Sequence, residues 1–383
     1  MNEVLGPIRV NLAWKNLLHN KPRLAVSLGA VVFTVVLLFF QLGNYAAIQK
    51  TATMVYDRML FDAVVVSPAY VQLTCPGRIP KSALHTALGV PGVARALGLS
   101  VAEGLWRNPE TRLRHRIAVL AYRVPDPVFD VPEISANEAA LKRDDEVLLD
   151  TETRSFFGPQ EVGLEPEING QRVRVAGRYT IGTGFSAFGE VVTSQRCFDK
   201  LFPSLARDEM SLGLIQFEPG SDGRAVLAKL REVLPANARV IAREELLERE
   251  RTFWNVQTNI GIILVTGVII ALFIGLIVLY QLLASEVLNH LHEYATLKAI
   301  GYGNDFLTRV VLQTSAILAG LAFVPGVVFA MGIYAYMRAT AYVPVSMTIP
   351  RMLLVFILAN ALSMGSALLT VQKAKSTDPA ELF

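Results

Sequence analysis

The stretch His290-Leu-His-Glu-Tyr-Ala-Thr-Leu-Lys-Ala-Ile-Gly-Tyr302 decides how the rest of the chain is read. It is too polar to lie within a bilayer, yet long uncharged apolar runs flank it on both sides. Residues 252–285 carry no charged side chain, and neither do residues 310–337. Each run exceeds the roughly 20 residues a helix needs to cross hydrocarbon. Helices are the open-chain solution there, because lipid offers the backbone no hydrogen-bond partner. Residues 286–308 therefore read as a coupling helix and loop between two spans. Val287, Leu291, Tyr294 and Lys298 recur at helical spacing, and Gly301 is placed as a stop. A surface helix in that position is a handle by which a soluble partner would move the membrane helices.

Working outward, the same logic finds two more spans. Residues 24–49 are uncharged, too long a run for the core of a cleaved signal peptide. Ahead of them, Val10, Trp14, Leu17 and Leu18 share a helical face amid Arg9, Lys15, Lys21 and Arg23, which suits an interfacial amphipathic helix over residues 1–23. Pro22 favours a break before the span. Four basic residues ahead of the span put the N-terminus in the cytoplasm. The expected order is then the first span at 24–49, an extracytoplasmic domain at 50–251, and the second span at 252–285. The handle follows at 286–308, the third span at 309–338, an outer turn at 339–350, the fourth span at 351–372 and a cytoplasmic tail at 373–383. The fold class expected is an integral membrane α-helical protein of four transmembrane helices, with a large α+β periplasmic domain inserted between helices 1 and 2. An apolar fraction of 52% agrees with a membrane protein. A net charge of +3 with no block of Lys or Arg argues for no nucleic-acid partner.

The inserted segment alternates strand and helix signals. Residues 62–67, 116–123, 171–175, 190–193 and 212–217 have strand character, and 80–88, 135–142 and 222–233 read as helices. Residues 212–242 form a strand-helix-strand unit. The charged run Arg243 to Trp254 leads straight into the second span and would, as one continuous helix, couple the membrane to the outer domain. Cys75 and Cys197 both fall in this segment, where a disulfide is chemically allowed beside the alternative of two unpaired thiols.

Other features carry less. Gly267, Ala271 and Gly275 lie four apart in the second span, a small-residue stripe that permits close helix approach. It suits either a second copy or another span of the same chain, and a second copy is the expectation. His290 and His292 are two apart and point to different faces of a helix, so they do not chelate a metal together. His85 and His115 stand alone. There is no Gly-x-Ser-x-Gly nucleophile pattern and no Gly-x4-Gly-Lys-Ser/Thr phosphate loop, so no catalytic residue, cofactor site or metal site is expected in this chain. The spans lack the buried Asp, Glu or Lys that ion-coupled carriers need. What remains is a membrane component driven from outside itself.

The chain resembles the DevC-type permeases of the FtsX/MacB class of ABC transporters, and does so over nearly its whole length. The resemblance rests on the opening Leu12-Ala-Trp-Lys-Asn-Leu-Leu-His-Asn-Lys-Pro-Arg-Leu24, on Trp106-Arg-Asn-Pro109, Glu167-Ile-Asn-Gly170 and Gly213-Leu-Ile215, on Tyr280-Gln281 with the handle, and on the ending Asp378-Pro-Ala-Glu-Leu-Phe383. It implies a homodimer in the bacterial inner membrane, both termini cytoplasmic and in contact with membrane lipid. A separate DevA-like ABC ATPase would bind the ATP and Mg. A DevB-like periplasmic membrane-fusion protein and a TolC-type outer-membrane channel would complete an exporter. Glu293, Tyr294, Thr296, Leu297, Lys298 and Ile300 would form the ATPase contact. The same resemblance leaves an alternative, an FtsX-like mechanotransmitter that regulates a periplasmic enzyme and moves no substrate. One departure from the family pattern, Gly177 to Phe185 followed by Ser186-Ala-Phe-Gly189, suggests a changed contact outside the membrane.

Overall fold

The computed structural model describes residues 21–205, 208–289, 296, 300 and 304–376. Four helices in it are long and apolar enough to cross a membrane: Leu24–Asp57, Asn259–Asn289, Thr308–Ala341 and Ile349–Gln372. The protein is thus a multi-pass membrane protein with an α+β domain between its first and second spans. It divides into two compact units, one built from the spans and the other from residues 47–262 together with 341–344.

The span unit holds together through apolar contacts and satisfied polar groups. Val31, Leu279, Leu318 and Ala322 form one buried cluster. Leu283, Val287, Val311, Ala367 and Val371 form another. Polar side chains turn their hydrogens back onto the helix: Thr34 bonds the Ala30 carbonyl, Asn44 that of Phe40 and Thr370 that of Ser366. Such bonds remove the cost of a bare polar group in hydrocarbon. Two others cross between helices, from Ser366 Oγ to the Leu276 carbonyl and from the Tyr334 hydroxyl to the Phe39 carbonyl.

The outer unit is built on a ten-stranded mixed sheet. Its strands are β1 (Ala63–Val66), β3 (Val93–Arg107), β4 (Arg114–Tyr122), β5 (Glu146–Asp150), β6 (Glu167–Ile168), β7 (Gln171–Arg172), β8 (Arg174–Tyr179), β9 (Glu190–Ser194), β11 (Leu212–Phe217) and β12 (Arg239–Ala242). The short strands β2 (Ile79–Pro80) and β10 (Glu209–Met210) pair separately. The main path runs β12-β1-β11-β3-β4-β9-β5-β8. Neighbours are antiparallel except for β4–β9 and β5–β8. Strand β1 reads Ala-Val-Val-Val and is buried at every position. Val64 and Val66 enter the cluster on one face, Ala63 and Val65 that on the other. A sheet covered on both faces selects such unbroken apolar strands.

The strand-helix-strand unit predicted over 212–242 is present with one modification. β11 and β12 do not pair with each other; β1 lies between them and is antiparallel to both. The Gly223–Val233 helix joining them packs Val226 and Leu230 into the same cluster as Val65. Asp222 caps that helix, its carboxylate accepting the Arg224 amide.

Strand β3, fifteen residues long, is central to the sheet and was not among the strands read from sequence. Its composition explains this. Val93-Ala-Arg-Ala-Leu-Gly-Leu-Ser-Val-Ala-Glu-Gly-Leu-Trp-Arg107 is rich in Ala and Gly, which have little intrinsic strand preference. The glycine at 104 is required by packing: a Cβ there would lie 2.8 Å from Ile168 Cγ2.

Three motifs that carry the family resemblance are structural in this unit. Trp106 and Arg107 pair with Ile168 and Glu167. Trp106 is fully buried and donates its indole N–H to the Phe157 carbonyl at 3.1 Å, while Arg107 meets Glu167 at 2.9 Å. Asn108 closes the following turn by accepting the amides of Glu110 and Thr111. Asn169, at φ 52°, accepts the Leu105 amide and donates to the Leu201 carbonyl. The first two motifs therefore form one knot that fixes the end of β3. The third, Gly213-Leu-Ile215, occupies β11, where a Cβ on Gly213 would lie 2.7 Å from Leu84 Cδ2.

Candidate transmission site

The first span does not end at Gln49, where the uncharged run stops. It continues as one helix, Lys21–Asp57, about 55 Å long at 1.5 Å per residue. Its last turns belong to the outer domain's core: Met54, Val55 and Tyr56 are buried with Leu120, Tyr179, Leu214 and Leu246.

The return to the membrane is built differently. The Arg243–Thr252 helix passes into a π-helical turn over Phe253–Gln257, and Thr258 takes an extended conformation before the helix Asn259–Asn289 begins. The continuous helix expected from Arg243 into the second span is therefore corrected to two helices with a break. The residues at the break account for it. Thr258 Oγ1 accepts the Gly261 amide at 3.0 Å and donates to the Trp254 carbonyl at 2.6 Å, so one hydroxyl closes the first helix and caps the next. Gly261 lies so close to the Trp254 carbonyl that a side chain there would collide with it.

A cluster of buried polar groups ties these two connections together within the outer unit. Glu250, 1% exposed, accepts hydrogen bonds from the hydroxyls of Tyr56, at the end of the first helix, and Tyr70, in the loop after β1. The two hydroxyl oxygens also lie 2.5 Å apart, side by side on the same carboxylate. Burial pushes the Glu250 carboxyl up to about 7, although the bonds from Tyr70, Tyr56 and the Leu73 amide pull the other way. Burial and the neighbouring Glu250 charge together raise the Tyr70 hydroxyl well above its ordinary value. Arg243 completes the tie. It donates to the carbonyls of Tyr56, Met59 and Phe61 and lies over the Phe61 ring, 4.5 Å from its centre. A second buried carboxyl, Glu190, takes the Tyr179 hydroxyl at 3.0 Å and is pushed up to about 8 by burial and the nearby Asp150 charge.

Of the residues assigned from sequence to the ATPase contact, Glu293, Tyr294, Leu297 and Lys298 lie outside the described residues. Thr296 is helical and Ile300 follows in a turn, its amide bonded to the Thr296 carbonyl and its side chain 71% exposed. The opening motif up to residue 20 and the C-terminal motif also lie outside the described residues.

The small-residue stripe faces the first span of the same chain, one of the two neighbours that the sequence left open. Ala271 is buried, a Cβ on Gly267 would lie 2.8 Å from Gln41 Oε1, and one on Gly275 would lie 2.8 Å from Thr34 Cγ2. Both neighbours belong to the first span, so the stripe is the seat of helix 1 on helix 2. Of the two readings left open for the cysteines, the structure has the unpaired one. Cys197 is fully buried among Ile117, Val191 and Phe198, Cys75 is exposed, and both are free. Among the described residues no group of three His, Cys, Asp or Glu is arranged to hold a metal. The buried tie of Tyr56, Tyr70 and Glu250 had escaped the sequence reading, because its three members are distant along the chain and none sits in a recognisable pattern.

Comparison with known proteins places the membrane half of this arrangement. Residues 259–379 match the family model described as FtsX-like permease C-terminal. The FtsX-like region begins at the first residue of the helix after the Thr258 break and takes in the handle and the last three spans. No curated protein matches the chain. Among solved structures, the extracellular domain of the noncanonic ABC-type transporter YknZ from Gram-positive bacteria is similar at 14% identity and a TM-score of 0.35, covering 48% of this chain and all of that one. The periplasmic region of MacB from Actinobacillus actinomycetemcomitans is similar at 7% identity and a TM-score of 0.37, covering 51% of this chain and 94% of that one. A domain of a putative permease protein from Porphyromonas gingivalis is similar at 12% identity and a TM-score of 0.31, covering 48% of this chain and 87% of that one.

Proposed function

We propose that the chain is the permease subunit of an ATP-binding-cassette exporter of the FtsX/MacB type, acting by transmitting motion. The observation that carries this reading is the unbroken Lys21–Asp57 helix whose last turns lie in the outer core, beside an FtsX-like region that begins at the return to the membrane. A separate ATPase binds ATP and Mg and grips the handle from Glu293 to Ile300. The first helix carries the resulting displacement as a rigid lever. The second connection, broken at Thr258, bends to let the outer domain follow.

In the finer version of this reading the protein is DevC-like. It works as a homodimer in the inner membrane with both termini cytoplasmic, and its outer domain acts on a membrane-fusion protein that leads to a TolC-type channel. The test is Leu297→Asp in the reconstituted permease–ATPase complex. A charge on the handle should abolish coupling, so that ATP is hydrolysed without export while the membrane level of the protein stays normal. Export at the unaltered rate would sink the handle assignment. Loss of activation of a periplasmic hydrolase, with no transport in the parent protein, would move the reading to a mechanotransmitter.

A further inference from the structure

The outer unit has a feature that transmission does not use. Around residues 152–156 and 182–188 the chain gathers Arg154, Phe156 and Phe188, with Phe156 43% and Phe188 60% exposed. The two rings meet edge to face at 5.7 Å, and Phe156 also stacks on Phe157 and lies against His115. Phe188 is held in place by its carbonyl, which accepts the Arg154 amide at 2.9 Å. Large apolar side chains fixed this firmly in an exposed position mark a contact surface.

Two independent marks give the height of this surface. The first is the loop's anchorage. The Phe185 amide bonds Thr51 Oγ1, and Gly184, at φ 52°, lies against the same threonine. Thr51 is the second residue past the uncharged run 24–49, and Lys50 is the first charge beyond it. That run rises about 39 Å as a helix, enough to span the roughly 30 Å of hydrocarbon. Thr51 therefore stands at headgroup level. The second mark is Arg154, whose guanidinium donates to the Ala341 carbonyl and stands 5.0 Å from the centre of the Tyr342 ring. Ala341 is the last residue of the third span's helix and Tyr342 begins the turn to the fourth. Two separate crossings of the membrane thus bring their outer ends to the same cluster.

From this we infer that Phe156 and Phe188 form a lipid-binding ledge, resting on the outer surface of the bilayer that holds the spans, with Arg154 and Lys50 at the level of its phosphates. The chemistry suits that occupant. Aromatic side chains enter the boundary between headgroups and acyl chains, and basic side chains reach the phosphates above it. Glu152 lies among the cations and offsets part of their attraction for anions, so the rings carry the contact and the bases orient it. The ledge includes the Ser186-Ala-Phe-Gly189 stretch.

The test uses the full chain in phospholipid vesicles, in a Cys75→Ser background where buried Cys197 is shielded from reagents. A nitroxide is placed by Phe156→Cys, by Phe188→Cys and, as a solvent reference, by Val233→Cys on the helix of residues 223–233. Collision with oxygen, which concentrates in lipid, is compared with collision with a water-soluble nickel chelate. The ledge predicts oxygen ahead of nickel at 156 and 188, and the reverse at 233. Nickel ahead at all three positions would overturn it. Shielding from both reagents at 156 and 188 would also overturn it, since protein would then cover the rings. If the labelled chains do not fold, Phe188→Trp in vesicles of brominated phospholipid tests the same contact. Its fluorescence should fall by more than that of the parent protein, whose Trp14, Trp106 and Trp254 give the background, and a fall no greater than the parent's would contradict the ledge.

Discussion

Glu250 shows what a single residue contributes. Its carboxyl is raised from 4.5 to about 7, so the folded protein holds that proton more tightly than the unfolded chain does. Stability from this group is complete below pH 4.5 and is lost as the pH rises through 7. Glu190, raised from 4.5 to about 8, acts in the same direction and extends the window upward. We therefore expect the outer domain to lose stability between about pH 4.5 and 8. Unfolding followed across that range should show the decline in the parent protein, a shallower one in Glu250→Gln and in Glu190→Gln, and the shallowest in the double variant. A parent protein that gains stability over this range would contradict the burial argument. Tyr70→Phe tests the tie more locally. It removes one of the two hydroxyls on a buried carboxyl, and a cost of about 1–3 kcal/mol follows. A loss of that size in chemical unfolding, confined to the pH range where Glu250 is charged, would identify the bond as the cause.

At the level of elements, the helix pair formed by the first and second spans makes the clearest prediction. Gly275→Val would force a side chain into Thr34 and separate helices that now touch. The expected result is a lower thermal midpoint of the detergent-solubilised protein with its oligomeric state unchanged. A normal midpoint with a lost dimer would return the stripe to a second copy. The sequence made the spans legible because absence of charge over twenty or more residues has few other meanings. It was less informative where meaning depends on the partner. Gly267 and Gly275 announce close approach and leave open which helix approaches. Strand β3 was hidden because Ala and Gly carry little strand preference, and its place is set by Trp106, Gly104 and Ile168 meeting across the sheet. The break at Thr258 was equally unreadable, since Thr and Gly are ordinary residues in spans. Only the paired bonds of the threonine hydroxyl show that one helix stops there and another starts. Glu250 looks in sequence like one more charge on a solvated helix, and its role exists only once Tyr56 and Tyr70 are folded against it.

For the whole molecule, the asymmetry of the two connections is the central fact. One helix enters the outer domain unbroken and ends in its core, and the chain returns through a π turn and an extended residue. A lever on one side and a joint on the other suit the transmission proposed above, in which a partner ATPase supplies the force. The most direct measurement is co-purification of the tagged full chain from its native membranes in mild detergent, with the accompanying polypeptides identified. The account predicts an ABC ATPase in the complex, with a membrane-fusion protein beside it if the assembly is an exporter. An intact permease with no ATPase under conditions that preserve the complex would contradict the account.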